Sequence, residues 1–203
     1  MDIKCIQTRN YGTNCYLLKN ENSVGLVDAG DWDKRIEDFV KENLNVPNKY
    51  IFLTHCHFDH IGFVPWVQSL WNAKIICLED EKEGLLNNKI NLSGIWTDSV
   101  ISITPDITLK DNEIVDFGGE KIRVIKTSGH TKGSCAYLWK NVLFSGDTLF
   151  RLSIGRTDLP TADYPQMQES LYKLSKLDKD TIVLPGHGEA TTIGFETENN
   201  IYL

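Results

Sequence analysis

Three histidines and an aspartate are crowded into one short segment, which constrains this protein more than any other part of its sequence. Residues 54–60, with the sequence THCHFDH, directly follow the apolar residues 50–53. The chain has five histidines, and three of them are in this segment. Imidazole and carboxylate groups are ligands that Zn²⁺ and Fe²⁺ prefer. The segment therefore predicts a metal site at the end of a strand.

The order of the four polar side chains predicts two binding positions. In an extended chain, residues two apart point to the same side, so His55 and His57 can bind one ion together. Asp59 and His60 follow where the chain must turn, because Gly62 ends the loop and a helical pattern of apolar residues begins after it. We expect these two side chains to point toward a second ion. The alternative is a polar loop that caps a helix, with Asp59 as the N-cap residue.

Length and composition are those of a globular protein. A chain of 203 residues with 41% hydrophobic and 24% charged residues suits a single domain, expected over residues 1–203. The sequence shows neither a targeting signal nor a membrane-length apolar stretch, so we expect a cytoplasmic protein without membrane association. Five scattered cysteines without C-x-x-C spacing predict no disulfide framework. A net charge of −7 disfavours nucleic acid as a partner.

Strand-rich segments alternate with a few helices along the chain. Strands are predicted over residues 3–7, 14–18, 23–28, 50–53, 74–77, 113–117, 121–126, 135–139, 142–145 and 181–184. Helices are predicted around residues 36–44, 62–70 and 81–86, and from an N-cap near Asp163 to Leu177. Residues 88–104 suit a long functional loop or lid. This pattern predicts an α+β fold, a four-layer αββα sandwich with the site at one rim.

Four further polar residues follow predicted strands. Asp28 precedes Ala29 and Gly30, His130 lies in the sequence TSGHTKGS, Asp147 follows Gly146, and His187 lies in the sequence PGHG. Taken singly, Asp28 is equally typical of a turn, Asp147 beside a glycine is more often a turn residue, and a histidine such as His130 is usually a surface residue. Taken together, every histidine of the chain lies in a glycine-bearing loop after a strand. This joint pattern predicts metal binding.

The H-x-H-x-D-H run, followed in order by the other ligand candidates, resembles the signature of the metallo-β-lactamase superfamily over residues 28 to 188. The resemblance implies that superfamily's fold and two divalent metal ions, with zinc expected and iron or manganese as alternatives. It also implies that Asp28 orients a ligand histidine from outside the ligand shell. The implied ligands are His55, His57 and His130 for one ion, Asp59, His60 and His187 for the other, and Asp147 for both.

The resemblance further implies a hydrolase. A water between two such cations loses a proton near neutral pH, and the resulting bridging hydroxide would attack a carbonyl, with catalytic Asp59 orienting it or passing on a proton. Residues 149–160 look like those of short glyoxalase-II-like enzymes, the hydroxyacylglutathione hydrolase relatives. This points to a small-molecule thioester of glutathione or another thiol. Only 16 residues follow His187, so the helical substrate domain of full-length glyoxalase II is not expected.

The same superfamily offers two alternatives to thioester hydrolysis. Its β-lactamases carry a cysteine at the position of Asp147, which argues against a β-lactam substrate. Its persulfide dioxygenases share the motif residues and a related Gly-Arg-Thr-Asp run, but use one Fe²⁺ and O₂. The sequence leaves this second alternative open.

Arg156 lies in the loop after Asp147 and has two interpretations. Its guanidinium group has the right shape to clamp a substrate carboxylate. It is equally able to pair with Asp158 or Asp28 and hold the metal loops in place. We favour the structural interpretation, because the hydrolases and the dioxygenases share this run while their chemistry differs.

Overall fold

The computed structural model describes residues 2–203. Its strands are β1 (Asp2–Gln7), β2 (Asn14–Lys19), β3 (Ser23–Val27), β4 (Asn48–Phe52), β5 (Lys74–Leu78), β6 (Ile107–Leu109), β7 (Ile114–Phe117), β8 (Glu120–Lys126), β9 (Cys135–Trp139), β10 (Val142–Gly146), β11 (Leu149–Phe150), β12 (Ser153–Ile154), β13 (Ile182–Pro185) and β14 (Thr191–Thr192). Its helices are α1 (Lys34–Glu42), α2 (Phe58–Ile61), α3 (Val64–Leu70), α4 (Lys82–Leu86), α5 (Ser93–Trp96), α6 (Tyr164–Leu174) and α7 (Ile193–Asn199), with a 3₁₀ turn at Glu79–Glu81.

The strands form two mixed six-stranded sheets and a small hairpin. The first sheet has the order β1-β2-β3-β4-β5-β6, and the second has the order β14-β13-β10-β9-β8-β7. β3, β4, β5 and β6 run parallel in the first sheet, and β10 and β13 run parallel in the second. β8 points the same way as β10, because each is antiparallel to β9. β11 and β12 pair separately.

Three apolar layers hold these elements together. Aromatic residues such as Phe52, Phe117 and Trp139 fill the space between the two sheets. The outer face of the first sheet packs against α1 and α3, and the outer face of the second packs against α6 and α7. The predicted four-layer αββα sandwich is confirmed. No helix within residues 2–203 has the length and apolar character required to cross a lipid bilayer.

The helices differ from the sequence predictions in several places. Asp163 caps α6 as expected, because its Oδ1 accepts a hydrogen bond from Gln166 N at 2.9 Å, but the helix ends at Leu174 rather than Leu177. The helix expected to begin at Gly62 is divided into α2 and α3, and His57, not Asp59, occupies the N-cap position of α2. The alternative in which Asp59 caps a helix is therefore not observed.

The strand ends that carry the candidate ligands lie at one rim of the sandwich. The carboxyl ends of parallel strands share one edge of a sheet, which brings together the loops after β3 and β4 in the first sheet, and after β8, β10 and β13 in the second. Hydrogen bonds between the sheets fix the last of these loops. Asn14 N donates to Gly186 O at 2.7 Å, and Tyr16 Oη donates to Pro185 O at 2.6 Å.

Candidate metal centre

His55, His57 and His130 form a first cluster at this rim. His57 Nδ1 lies 2.9 Å from His130 Nε2, and the ring centre of His55 lies 4.8 Å from the ring centre of each of the other two. All three side chains are buried. The structure thus brings together the three residues assigned by resemblance to one ion, each able to offer a ring nitrogen.

Asp59, His60 and His187 form a second cluster beside the first. His60 Nε2 lies 3.2 Å from His187 Nε2, and Asp59 Oδ2 lies 3.3 Å from His187 Nε2 and 3.7 Å from His60 Nε2. His60 is fully buried, whereas Asp59 and His187 are partly exposed. This cluster is consequently the more accessible to solvent.

The carboxylate of Asp147 lies between the two clusters. Its Oδ2 is 3.6 Å from His130 Nε2 in the first cluster and 3.6 Å from His187 Nε2 in the second. Its Oδ1 is 3.3 Å from His60 Nε2. A carboxylate in this position can bind two ions at once, as the resemblance implied.

The arrangement of these atoms fits metal ions. His55 Nε2 and Asp147 Oδ1 are buried and have no hydrogen-bond partner within residues 2–203, and leaving such an atom unpaired costs about 1–3 kcal/mol. Two ligands of one tetrahedral ion, each about 2.1 Å from it, are separated by about 3.4 Å. The nitrogen and oxygen separations of 2.9 to 3.7 Å bracket this value. The two clusters and Asp147 therefore fit a dinuclear metal site.

Asp28 holds His60 in position. It is buried at the end of β3 with φ 55°, and it accepts hydrogen bonds from Thr54 N at 2.9 Å and from Thr54 Oγ1 at 2.6 Å. Its Oδ2 also lies 3.0 Å from His60 Nδ1. The side chain therefore contacts a candidate ligand histidine rather than its own backbone. With Nδ1 engaged, the Nε2 atom of His60 faces the second cluster.

Burial and neighbouring charges shift the protonation of these groups in the metal-free protein. Burial lowers the pKa of His57 to about 3, with His130 acting in the same direction. Burial alone would lower the pKa of His60, but the surrounding carboxylates, Asp147 first, outweigh it and raise the pKa. Burial alone would raise the pKa of Asp147, but the nearby histidines lower it, His60 most strongly. Asp147 is thus an anion, as metal binding requires.

Two glycines allow the chain to approach the site closely. A Cβ atom on Gly30 would lie 1.6 Å from Asp59 O, and one on Gly186 would lie 2.2 Å from Asp147 Oδ1. Neither contact is compatible with a larger residue, so these positions require glycine.

A cleft of about 280 Å³ leads to the clusters. The candidate ligands that line it are His57, Asp59, His130, Asp147 and His187. Its other lining residues are Phe58, Leu92, Trp96, Phe150, Ile154, Arg156 and Leu159, most of them apolar. A substrate in this cleft would meet polar groups at the metal clusters and apolar side chains around them.

Arg156 contributes to this site in two separate ways. Its main-chain oxygen lies 2.8 Å from His130 Nδ1 and accepts a hydrogen bond from it, which orients that ring. Its guanidinium is exposed and pairs with Asp158 at 2.9 and 3.0 Å, and Arg156 is one of the residues that line the cleft. Of the two partners expected, the structure shows Asp158; Asp28 is buried against His60 instead. This pair is the one that the structural interpretation expected, but an exposed pair contributes little to stability.

Sequence reasoning missed several residues of the site. Glu81 and Thr54 hold the ligand loops through hydrogen bonds, but Glu81 lies within the charged residues 79–83, a pattern typical of an exposed segment. Leu92 and Trp96 line the cleft from within residues 88–104, the segment predicted to be a functional loop.

Comparison with known proteins identifies the family. A model of the metallo-β-lactamase superfamily matches residues 8–187. The chain belongs to the metallo-β-lactamase superfamily. This match confirms the resemblance inferred from the H-x-H-x-D-H run. Together with the similar sequences, it places the protein among metallo-hydrolases.

Three proteins of known sequence or structure are similar to this superfamily member over nearly its whole length. Hydroxyacylglutathione hydrolase GloC of Haemophilus influenzae is 30% identical over 210 residues, which cover 100% of this chain and 98% of GloC. The crystal structure of BLEG-1 B3 metallo-β-lactamase has a TM-score of 0.90 and 34% identity, covering 100% of this chain and 99% of BLEG-1. The crystal structure of TTHA1623 in a di-iron-bound form has a TM-score of 0.86 and 29% identity, covering 98% of this chain and 100% of TTHA1623.

Proposed function

We propose that the protein is a dinuclear metal-dependent hydrolase of small-molecule thioesters, of the hydroxyacylglutathione hydrolase type. The observation that carries this proposal is the carboxylate of Asp147, which lies between two clusters of candidate ligands. The similarity to GloC along the whole chain supports the thioester substrate, and the di-iron form of TTHA1623 supports a site for two ions. Which metal the protein carries is part of the proposal, with zinc expected.

The residues of the two clusters would hold the ions, with Asp147 as the shared ligand. Bound divalent cations would supply an acidified water and polarise the substrate carbonyl. Asp59 faces the cleft with its Oδ2, which lies near His187 and accepts a hydrogen bond from Thr13 Oγ1 at 3.5 Å. From this position it would orient the attacking water and take up its proton. Hydrolysis then breaks the carbon–sulfur bond, and the departing thiolate receives the proton.

The walls of the cleft would bind the rest of the substrate. Leu92, Trp96 and Phe150 offer apolar surface for the chain of an acyl or thiol group. Arg156 lines the same cleft, and its exposed guanidinium would exchange Asp158 for a carboxylate of the substrate. This observation reverses the preference drawn from the sequence and favours a substrate-binding role for Arg156.

β-Lactam hydrolysis is a second candidate, favoured by the 34% identity to BLEG-1. Asp147 is the one residue of the sequence that argues against a β-lactam substrate. A carboxylate between two clusters suits the hydrolysis of β-lactams and of thioesters. GloC and BLEG-1 both match the chain from end to end, so coverage does not separate them. We expect thioesters to be the better substrates, because residues 149–160 look like those of glyoxalase-II-like enzymes and because Asp147 stands where the β-lactamases carry a cysteine.

Turnover and metal content test these functions together. The purified protein is loaded with Zn²⁺, Fe²⁺ or Mn²⁺, and metal per chain is measured by elemental analysis. Thiol release from a hydroxyacylglutathione thioester is compared with hydrolysis of a chromogenic cephalosporin and with O₂ uptake on glutathione persulfide. Two ions per chain and thiol release that is lost in Asp147→Ala support the proposal. One iron per chain with O₂ uptake would instead identify a dioxygenase, and full thiol release by metal-free protein would rule out the mechanism.

A further inference from the structure

Glu81 is a buried carboxylate for which the proposed reaction has no direct use. It lies at the end of the 3₁₀ turn, 2% exposed, and accepts three hydrogen bonds. Its Oε1 accepts from Cys56 N at 2.7 Å and from Thr131 Oγ1 at 2.8 Å, and its Oε2 accepts from Gly133 N at 2.8 Å. Two main-chain N–H groups and one hydroxyl therefore converge on a single carboxylate.

These donors belong to the two loops that supply the first cluster. Cys56 lies between His55 and His57, and Thr131 directly follows His130. The first loop leaves β4 in one sheet, and the second leaves β8 in the other. The Glu81 carboxylate thus connects, across the two sheets, the chain segments that place all three histidines.

The segment that carries Glu81 packs closely against both loops. A Cβ atom on Gly133 would lie 2.2 Å from Glu81 N, and one on Gly84 would lie 2.5 Å from Cys56 Sγ. With contacts this close, a shift of Glu81 must be accompanied by a shift of the neighbouring loops.

We propose that Glu81 is a positioning residue that fixes the spacing of the His55–His57 pair relative to His130, and thereby sets the affinity for the ion that these three histidines hold. The inference rests on the proposed metal binding. Groups that hydrogen-bond and orient metal ligands from outside the ligand shell typically change metal affinity about 10- to 100-fold when they are altered. Glu81 differs from Asp28 in acting through the main chain of the loops rather than on a ligand ring.

A merely structural role is the rival explanation, and Glu196 offers a matched control. This second glutamate is also fully buried and also accepts three hydrogen bonds, from Thr191 Oγ1 at 2.6 Å, Leu152 N at 2.8 Å and Asn200 Nδ2 at 2.8 Å. None of these three donors lies in a loop that carries a candidate ligand. Loss of either carboxylate should lower the melting temperature, but only loss of Glu81 should act on metal affinity.

Glu81→Gln is the test variant because it keeps the size and removes one acceptor. The amide oxygen can replace one carboxylate oxygen, but the NH₂ group then faces the N–H of Gly133 or Cys56, and that contact is lost. Zn²⁺ is titrated into the full-length metal-free protein in competition with a chromophoric chelator, without any substrate. His130→Ala and His187→Ala assign the two binding constants to the first and second clusters.

We expect Glu81→Gln to weaken Zn²⁺ binding at the first cluster by at least about tenfold. The affinity of the second cluster for Zn²⁺ should change much less. Glu196→Gln should leave both constants within about threefold. Thr131→Val, which removes only the hydroxyl donor, should produce a smaller loss of Zn²⁺ affinity at the first cluster. If Glu81→Gln does not fold, Thr131→Val replaces it in the comparison with Glu196→Gln.

The proposal is overturned if folded Glu81→Gln keeps both wild-type Zn²⁺ binding constants. It is also overturned if Glu196→Gln weakens Zn²⁺ binding at the first cluster as much as Glu81→Gln does. Because no turnover is measured, a protein that binds two ions but hydrolyses no thioester refutes the proposed substrate and leaves the role of Glu81 intact. A wild-type protein that binds no metal refutes both.

Discussion

Replacing Asp28 by asparagine should weaken metal binding at the second cluster while leaving the backbone in place. Asp28 has φ 55°, in the left-handed region, which asparagine adopts more readily than most residues. In the wild-type protein its Oδ2 accepts the Nδ1 proton of His60 at 3.0 Å. His60 Nε2 is then directed toward His187 and Asp147, where it would bind an ion through its lone pair.

The magnitude follows from what the asparagine amide can offer. Its single oxygen can keep the bond to Thr54 N, which leaves the NH₂ group facing His60 Nδ1. An NH₂ donor at this position favours the tautomer with the proton on Nε2, and that nitrogen can no longer bind an ion. A change of this kind costs about 10- to 100-fold in metal affinity, equivalent to about 1.4–2.8 kcal/mol.

The assay is the same chelator competition, with melting temperature as a second readout. Asp106→Asn serves as the control, because Asp106 also accepts a main-chain hydrogen bond, from Ile75 N at 2.8 Å, but at the start of β5, away from the metal rim. Unchanged affinity at the second cluster in Asp28→Asn, or an equal loss in Asp106→Asn, would refute the reasoning.

Three further predictions concern single groups of the site. Asp147→Ala should lower metal content and kcat/KM more than any single histidine change, because it removes a ligand from both clusters. Elemental analysis and thioester turnover check this prediction, and a histidine variant with a larger loss would contradict it. Burial lowers the pKa of His55 and His57 below that of the unfolded chain, so each contributes stability above about pH 6.5 that is lost as the pH falls. The raised pKa of His60 acts in the opposite direction, but it is one group against two. The free energy of unfolding of the metal-free protein should therefore fall from pH 7 to pH 5, by up to about 1.4 kcal/mol per histidine of lowered pKa and pH unit, and the melting temperature should fall with it; a flat or opposite profile in thermal unfolding would contradict this. Arg156→Lys should raise KM for a thioester that bears a carboxylate, with metal content and melting temperature unchanged. The reason is that the Arg156 side chain is exposed and paired only with Asp158 among residues 2–203. A joint loss of metal content and stability would restore the structural interpretation.

Much of the fold could be predicted because its signals are local. The alternation of Ile122 and Val124 marked β8, and the N-cap at Asp163 followed by Pro165 marked the start of α6. β14 and α7 were missed because Thr191 and Thr192 are too short a pair to show strand periodicity, and α7 is rich in residues that are equally common in loops.

The candidate site divides in the same way between local and long-range information. Each histidine or aspartate in a glycine-bearing loop after a strand is a local signal, and their joint pattern along the chain made them candidate ligands. The partners that hold them were not, because the contact of Glu81 with Gly133 joins residues 52 positions apart. A glutamate beside Asp80 and Lys82 looks solvated in the sequence, and only the packed structure shows that it is buried.

The candidate ligands come from both sheets, since those after β4 belong to the first sheet and His130, Asp147 and His187 belong to the second. Ions bound there would cross-link the two halves of the sandwich at one rim, as a disulfide does in a secreted protein. A ligand that binds only the folded chain adds about 2.7 kcal/mol of stability at a free concentration 100 times its Kd. The lifetime of this protein would then follow the supply of free metal in its surroundings, and chelation would separate the sheets first at the rim where the cleft lies.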